Sequence, residues 1–141
     1  MSTDPRQVRD SLQRQSFMQL LGGHAPVVED GHVVIELPFR ADLCQQNGHL
    51  HAGVVTSIAD SACGYAALTL MPPGSDVLSV EFKVNLLAPG RGEVFRADAR
   101  VVRAGRTLTV CQAEVTAVAA GQPDVSVAIM QATLIMRPKV S

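Results

Sequence analysis

The sequence predicts an α+β domain in which one long, largely buried helix precedes a run of antiparallel strands that wrap or cover it. Three observations carry this expectation. Apolar residues recur at helical spacing between Gly53 and Leu70, Met71-Pro72-Pro73-Gly74 stops that helix, and four strand-like segments follow in succession.

The chain opens with Asp4-Pro5 ahead of Val8, Leu12, Phe17, Leu20 and Leu21, which predicts a capped, loosely amphipathic surface helix within residues 1–23, ended by Gly22-Gly23. Pro26 to Glu29 and His32 to Pro38 flank Asp30-Gly31, the signature of a two-residue hairpin turn. In the central helix Val54, Ile58, Ala62, Tyr65 or Ala66, and Leu70 keep the helical period. Beyond it Leu78, Val80, Phe82, Val84 and Leu86 alternate with Ser79, Glu81, Lys83 and Asn85, a period of two that buries one face of a strand. Phe95 to Val101 and Leu108 to Val118 alternate in the same way around Arg103-Ala104-Gly105-Arg106, and a last apolar segment runs from Ser126 to Met136. Residues 1–141 read as one domain, with a core over 25–137 and about six strands.

Composition narrows the function. Hydrophobic residues make up 47% and charged residues 18%, a globular balance. Twelve Lys and Arg stand against thirteen Asp and Glu without a basic run, which argues against a nucleic-acid partner. The first seventeen residues are polar and mixed in charge rather than a secretory leader, and the apolar stretch Gly53 to Met71 contains Asp60 and small polar residues, so neither export nor a membrane span is expected. Cys44, Cys63 and Cys111 are unpaired in number and wide in spacing, which fits reduced thiols in the cytoplasm. His49 and His51 lie two apart, but His24, His32 and Cys44 offer no ligand spacing with them, so no metal is expected. Cys63 reads as a small core residue, since no motif sets a His beside it.

Residues three, four and seven apart share a helix face, so Gly53, Thr56, Ser57, Asp60, Cys63, Gly64 and Ala67 form one stripe, small in every member but the carboxylate. Asp60 alone could face solvent or bond a packing partner. His51-Ala52-Gly53, however, sits where the helix begins, and its outward N–H groups and dipole would support an oxyanion there.

The stretch Gln45-Gln46-Asn47-Gly48-His49-Leu50-His51-Ala52-Gly53 through Asp60 is similar to the active-site signature of PaaI-like acyl-CoA thioesterases of the hotdog superfamily. That signature commonly reads Asn, then His-Gly-Gly, then Asp seven residues after the second Gly. The likeness extends through Leu78-Ser79-Val80-Glu81-Phe82, Leu87-Ala88-Pro89-Gly90 and Val101 to Thr107, and so spans most of residues 37–137. It implies a hotdog fold, acyl-CoA hydrolysis and no cofactor. Asp60 would be base or nucleophile, the Ala52 amide the oxyanion donor, His51 and Gln45 helpers around the thioester and water, and Ser79 the group that orients the water or Asp60. Asn47 and Gly53 would line the substrate, with Gln45 or Asn47 filling the family's Asn position. Arg103 and Arg106 flank a hairpin tip, where they either are solvated or grip the CoA phosphates.

Hydratase chemistry in this superfamily resembles His-Phe-Pro-Gly, in contrast to His51-Ala52-Gly53 here, and a non-catalytic acyl-CoA-binding module is the other alternative. Eight residues separate Ala52 from Asp60, about 12 Å of helix rise, too far for one chain's base and oxyanion donor to meet one reacting centre. The expected assembly is therefore a dimer with shared active sites, and the homo-oligomer is either that dimer or a homotetramer built from two of them.

Overall fold

A computed structural model describes residues 2–138; the first residue and the last three of the expected 1–141 domain lie outside them. Helix α1 spans Pro5–Arg14 and α2 spans Ser16–Leu21. They are followed by strands β1 (His24–Glu29) and β2 (His32–Pro38), a short 3₁₀ turn (Ala41–Leu43), helix α3 (Ala52–Thr69), and strands β3 (Ser75–Leu86), β4 (Val94–Ala104), β5 (Leu108–Val118) and β6 (Val125–Pro138). All strand pairs are antiparallel, in the order β1-β2-β4-β5-β6-β3.

Helix α3 lies on one face of this sheet. Its buried Val55, Ile58, Ala59, Ala62 and Ala66 pack on Ile35, Leu37, Phe95, Cys111 and Val115. Beneath it the strands carry Ala97, Ala99, Ala113, Ala128 and Ala132, all buried. Short side chains at these positions let the helix approach the sheet closely without leaving voids.

The single N-terminal helix expected over 1–23 is two helices. In one continuous helix the buried pair Val8 and Leu12 would be continued at positions 15, 16 and 19, but the next buried residues are Met18 and Leu21. The chain breaks at Gln15, whose backbone is extended (φ -72°, ψ 106°), and the break brings the second apolar stripe back onto the core. Phe17 and Leu20, expected on the apolar face, are 50% and 65% exposed, and Met18 fills the core in their stead. The pair is fastened at both ends. Thr3 Oγ1 donates to Met71 O at 2.9 Å, and Arg40 Nη1 donates to Leu20 O and Leu21 O at 2.9 and 3.1 Å, satisfying carbonyls at the end of α2.

The expectation that β3 buries an apolar face also needs correction. β3 is an edge strand with only β6 beside it, and Leu78, Val80, Phe82 and Leu86 are all exposed. Its alternation is interrupted as well. Ser79 pairs with Leu134 and Glu81 with Thr133, which leaves Val80 as an extra residue, a β-bulge. On the C-terminal side of the bulge Phe82, Val84 and Leu86 stand opposite Ala132, Met130 and Ala128; on the N-terminal side it is Ser79 and Val77 that stand opposite Leu134 and Met136. Ser79 therefore shares the helix-facing side with Phe82, where strict alternation sets it with Glu81 and Lys83.

Candidate active site

The N-terminus of α3 is held by backbone bonds from two loops. His51 N–H donates to Leu43 O at 3.0 Å and Leu50 N–H to Gly90 O at 2.9 Å. Gly90 is required there, because a Cβ on it would stand 2.9 Å from Leu50 Cβ. His51 is the N-cap residue: its Nδ1 accepts the Gly53 N–H at 2.8 Å, while its carbonyl accepts from Val54 and Val55 at 2.9 and 3.2 Å. The Gly53 amide, expected to be free, is thus taken by the His51 ring, and a Cβ at Gly53 would press on that ring at 3.0 Å. Among the described residues the exposed Ala52 N–H finds no acceptor. Ala52 carries no strain, since among the described residues only glycines have positive φ.

One side of α3 carries Thr56, Ser57, Asp60 and Gly64, all half-buried. Cys63 and Ala67, which the helical wheel sets on the same stripe, are fully buried and belong to the core face. Burial raises the Cys63 thiol above its ordinary range and pushes Cys111 up to about 12, so both stay protonated at neutral pH and neither is a nucleophile. Asp60 is met by β3: Ser79 Oγ donates to Asp60 Oδ1 at 2.6 Å, a charge-assisted bond made possible by the bulge at Val80.

The remaining sequence-derived residues are dispersed. Gln45 Oε1 accepts the backbone N–H groups of Asn47 and, at 3.3 Å, His49, so its carbonyl braces the turn at Gly48 and leaves its NH₂ group to act as a donor. Asn47 is exposed at that turn. Gln45 and Ala52 line a groove of about 420 Å³ with His49, Leu86 and Pro89. His49 Nε2 accepts from Arg91 Nε at 2.9 Å, a contact between residues 42 apart that no local pattern announces. Arg103 and Arg106 are exposed at the β4–β5 tip. Arg103 lies level with Glu81, but β5 and β6 intervene, so about 14 Å of sheet separates it from β3 in one chain. Sequence reading missed Ser11, Gln15, Ser61 and Tyr65, which border Asp60 in a second cavity. The first two come from the N-terminal helices, and no local pattern announces their approach to α3.

A long helix laid on a six-stranded antiparallel sheet of this order is the hotdog architecture. The Thioesterase superfamily model matches residues 47–121, and the chain belongs to that family. A thioesterase family protein from Silicibacter pomeroyi is 46% identical in sequence and superposes over 94% of this chain and 97% of its own with a TM-score of 0.91. The E. coli PaaI protein, at 19% identity, shares the fold over 96% of this chain and 92% of its own with a TM-score of 0.81. A candidate esterase of Saccharolobus solfataricus is 33% identical over 62% of this chain and 61% of its own length, so the chain spans less than two thirds of that relative. Among the described residues no helix is long and apolar enough to cross a membrane.

Proposed function

We propose that this thioester hydrolase acts on acyl-CoA, with Asp60 as its general base or nucleophile. The observation that carries the reading is the Ser79–Asp60 bond of 2.6 Å, which fixes a half-buried carboxylate on the open flank of α3. Water attacks the thioester carbonyl as Asp60 takes its proton, or Asp60 attacks and water then cleaves the anhydride. In either route the carbonyl oxygen gathers negative charge, which the Ala52 N–H and the α3 dipole stabilise. Collapse expels the CoA thiolate, which takes up a proton. His51 holds the helix terminus in shape through Gly53, Ser79 orients Asp60, and the NH₂ group of Gln45, with Asn47 beside it, approaches the substrate from the groove.

The site is shared between two subunits. Ala52 and Asp60 stand eight residues apart on an unbroken α-helix, about 12 Å along its axis, so they serve one carbonyl only if they come from different chains. The free edge of β3 and its exposed Leu78, Val80, Phe82 and Leu86 support pairing with a second copy, which would bring the Thr56–Gly64 flanks of two α3 helices together antiparallel. A dimer of dimers would use the outer face of the sheet, where a hollow of about 780 Å³ carries Glu81 and Asp98 beside Lys83 and Arg100. In that assembly Arg103 and Arg106 grip the CoA phosphates.

Thiol release from a panel of short, long and aromatic acyl-CoAs, run with the unchanged chain and Asp60→Asn, tests the reading. Release that depends on Asp60 supports it. Binding of acyl-CoA without release, or hydration of an enoyl-CoA ahead of thiol release, overturns it.

A further inference from the structure

Beside Asp60, toward the C-terminal end of α3, lies a cavity of about 220 Å³ walled by Asp60, Gly64, Val77, Ser79 and Leu134. Ser11, Gln15, Ser61 and Tyr65 give it a polar lining that the mechanism above does not use. Gln15 is the residue at which α1 breaks from α2. Its Nε2 donates to Tyr65 Oη at 3.4 Å, Ser61 Oγ donates to its Oε1 at 3.4 Å, and Ser11 Oγ shares Tyr65 Oη at 3.4 Å. All three contacts lie at the long end of hydrogen-bonding range, so these groups keep donors and acceptors for a closer partner.

We propose that Gln15 and Tyr65 set the acyl specificity of this site: they close the acyl pocket, restrict it to short chains and select an acyl group that ends in a neutral hydrogen-bonding group. The inference rests on the thioesterase reading. With the thioester carbonyl at Asp60, the pocket takes the acyl arm, because at about 30 Å³ per water-sized heavy atom it holds about seven heavy atoms, far fewer than CoA. An alkyl end would strip water from Gln15 and Ser11 without replacing its hydrogen bonds, whereas a hydroxyl replaces them. An anionic end would meet the carboxylates of Asp60 and Asp76, which both line the cavity. Ser11 and Gln15 lie outside the family-matched residues 47–121 and Tyr65 within them, so the N-terminal segment and α3 supply the selectivity together.

The test is steady-state thiol release from hexanoyl-CoA, ω-hydroxyhexanoyl-CoA, adipoyl-CoA and dodecanoyl-CoA, read as ratios of kcat/KM. The unchanged protein is expected to prefer the hydroxyacyl over the hexanoyl ester by about tenfold and to discriminate against the adipoyl and dodecanoyl esters by at least as much. Gln15→Ala should open the pocket, raising the dodecanoyl-to-hexanoyl ratio about tenfold and erasing the hydroxyl preference. Tyr65→Phe keeps the ring, and so carries the test if Gln15→Ala does not fold; it should erase the hydroxyl preference and leave the length ratio. Unchanged ratios in both variants, with hydrolysis still dependent on Asp60, overturn this proposal and leave the thioesterase reading standing. No thiol release from any of the four esters or from the wider panel overturns both.

Discussion

Ser79 Oγ donates to Asp60 Oδ1 across 2.6 Å, although strict alternation along β3 would turn Ser79 to the opposite face of the sheet. Leaving Val80 unpaired as a bulge absorbs the extra residue and keeps Ser79 on the same side as Phe82, toward α3. The bond holds one carboxylate oxygen and leaves the other open to a water or a carbonyl carbon.

Asp60→Asn is expected to leave the fold intact and to lower thioester turnover by about a hundredfold or more, the scale of a lost base or nucleophile. Ser79→Ala should cost about tenfold, because it orients the carboxylate and transfers no proton itself. Circular dichroism with thiol-release kinetics checks both. Near-normal turnover in Asp60→Asn would remove the carboxylate from the mechanism.

Deletion of Val80 should be tolerated. Removing an ordinary strand residue such as Lys83 inverts the faces of one flank of the strand, but removing the bulged residue leaves both flanks in register and Ser79 still toward Asp60. Turnover is expected to stay within about threefold of the parent, and the Lys83 deletion to lose far more. A loss in the Val80 deletion as deep as that in Ser79→Ala would show that the bulge does more than set the facing.

Mixing Asp60→Asn chains with Ala52→Pro chains should restore activity, since a mixed dimer pairs one intact Asp60 with one intact amide donor. Each parent alone should be nearly inactive. Subunit exchange proven by mass, with no recovered turnover, would place the whole site in one chain.

Alkaline pH should destabilise the fold through two thiols. Burial raises the pKa of Cys63 and lifts Cys111 to about 12, whereas in the unfolded chain each ionises near its ordinary value. The folded state then binds more protons than the unfolded one, so this contribution is complete below about pH 8.5 and falls by about 1.4 kcal/mol per pH unit for each thiol above it. Denaturant melts from pH 8 to 10.5 should show a shallower alkaline decline in a Cys63→Ala, Cys111→Ala double variant. Parallel declines would mean that the thiols ionise within the folded protein.

Much of this molecule is legible along the chain. The α3 boundaries, the hairpin at Asp30-Gly31, and the strands β4 to β6 follow from periodicity and turn chemistry that act within a few residues. Asp60 and the His51-Ala52-Gly53 terminus stand out because a helix repeats its faces at fixed spacing, and the same rise separates them by a distance that one side chain cannot span. Tertiary structure decided the rest. The break at Gln15 arises because Met18 and Leu21 must reach the same core as Val8 and Leu12, a demand invisible to local propensity. The bulge at Val80 depends on pairing with β6, 52 residues onward for Glu81 and Thr133, and it keeps Ser79 toward the helix despite the extra residue. Whether an apolar strand face is covered depends on the strand's place in the sheet, and β3 lies at an edge. Local spacing fixes what each segment presents, whereas long-range pairing and core packing determine which segments meet.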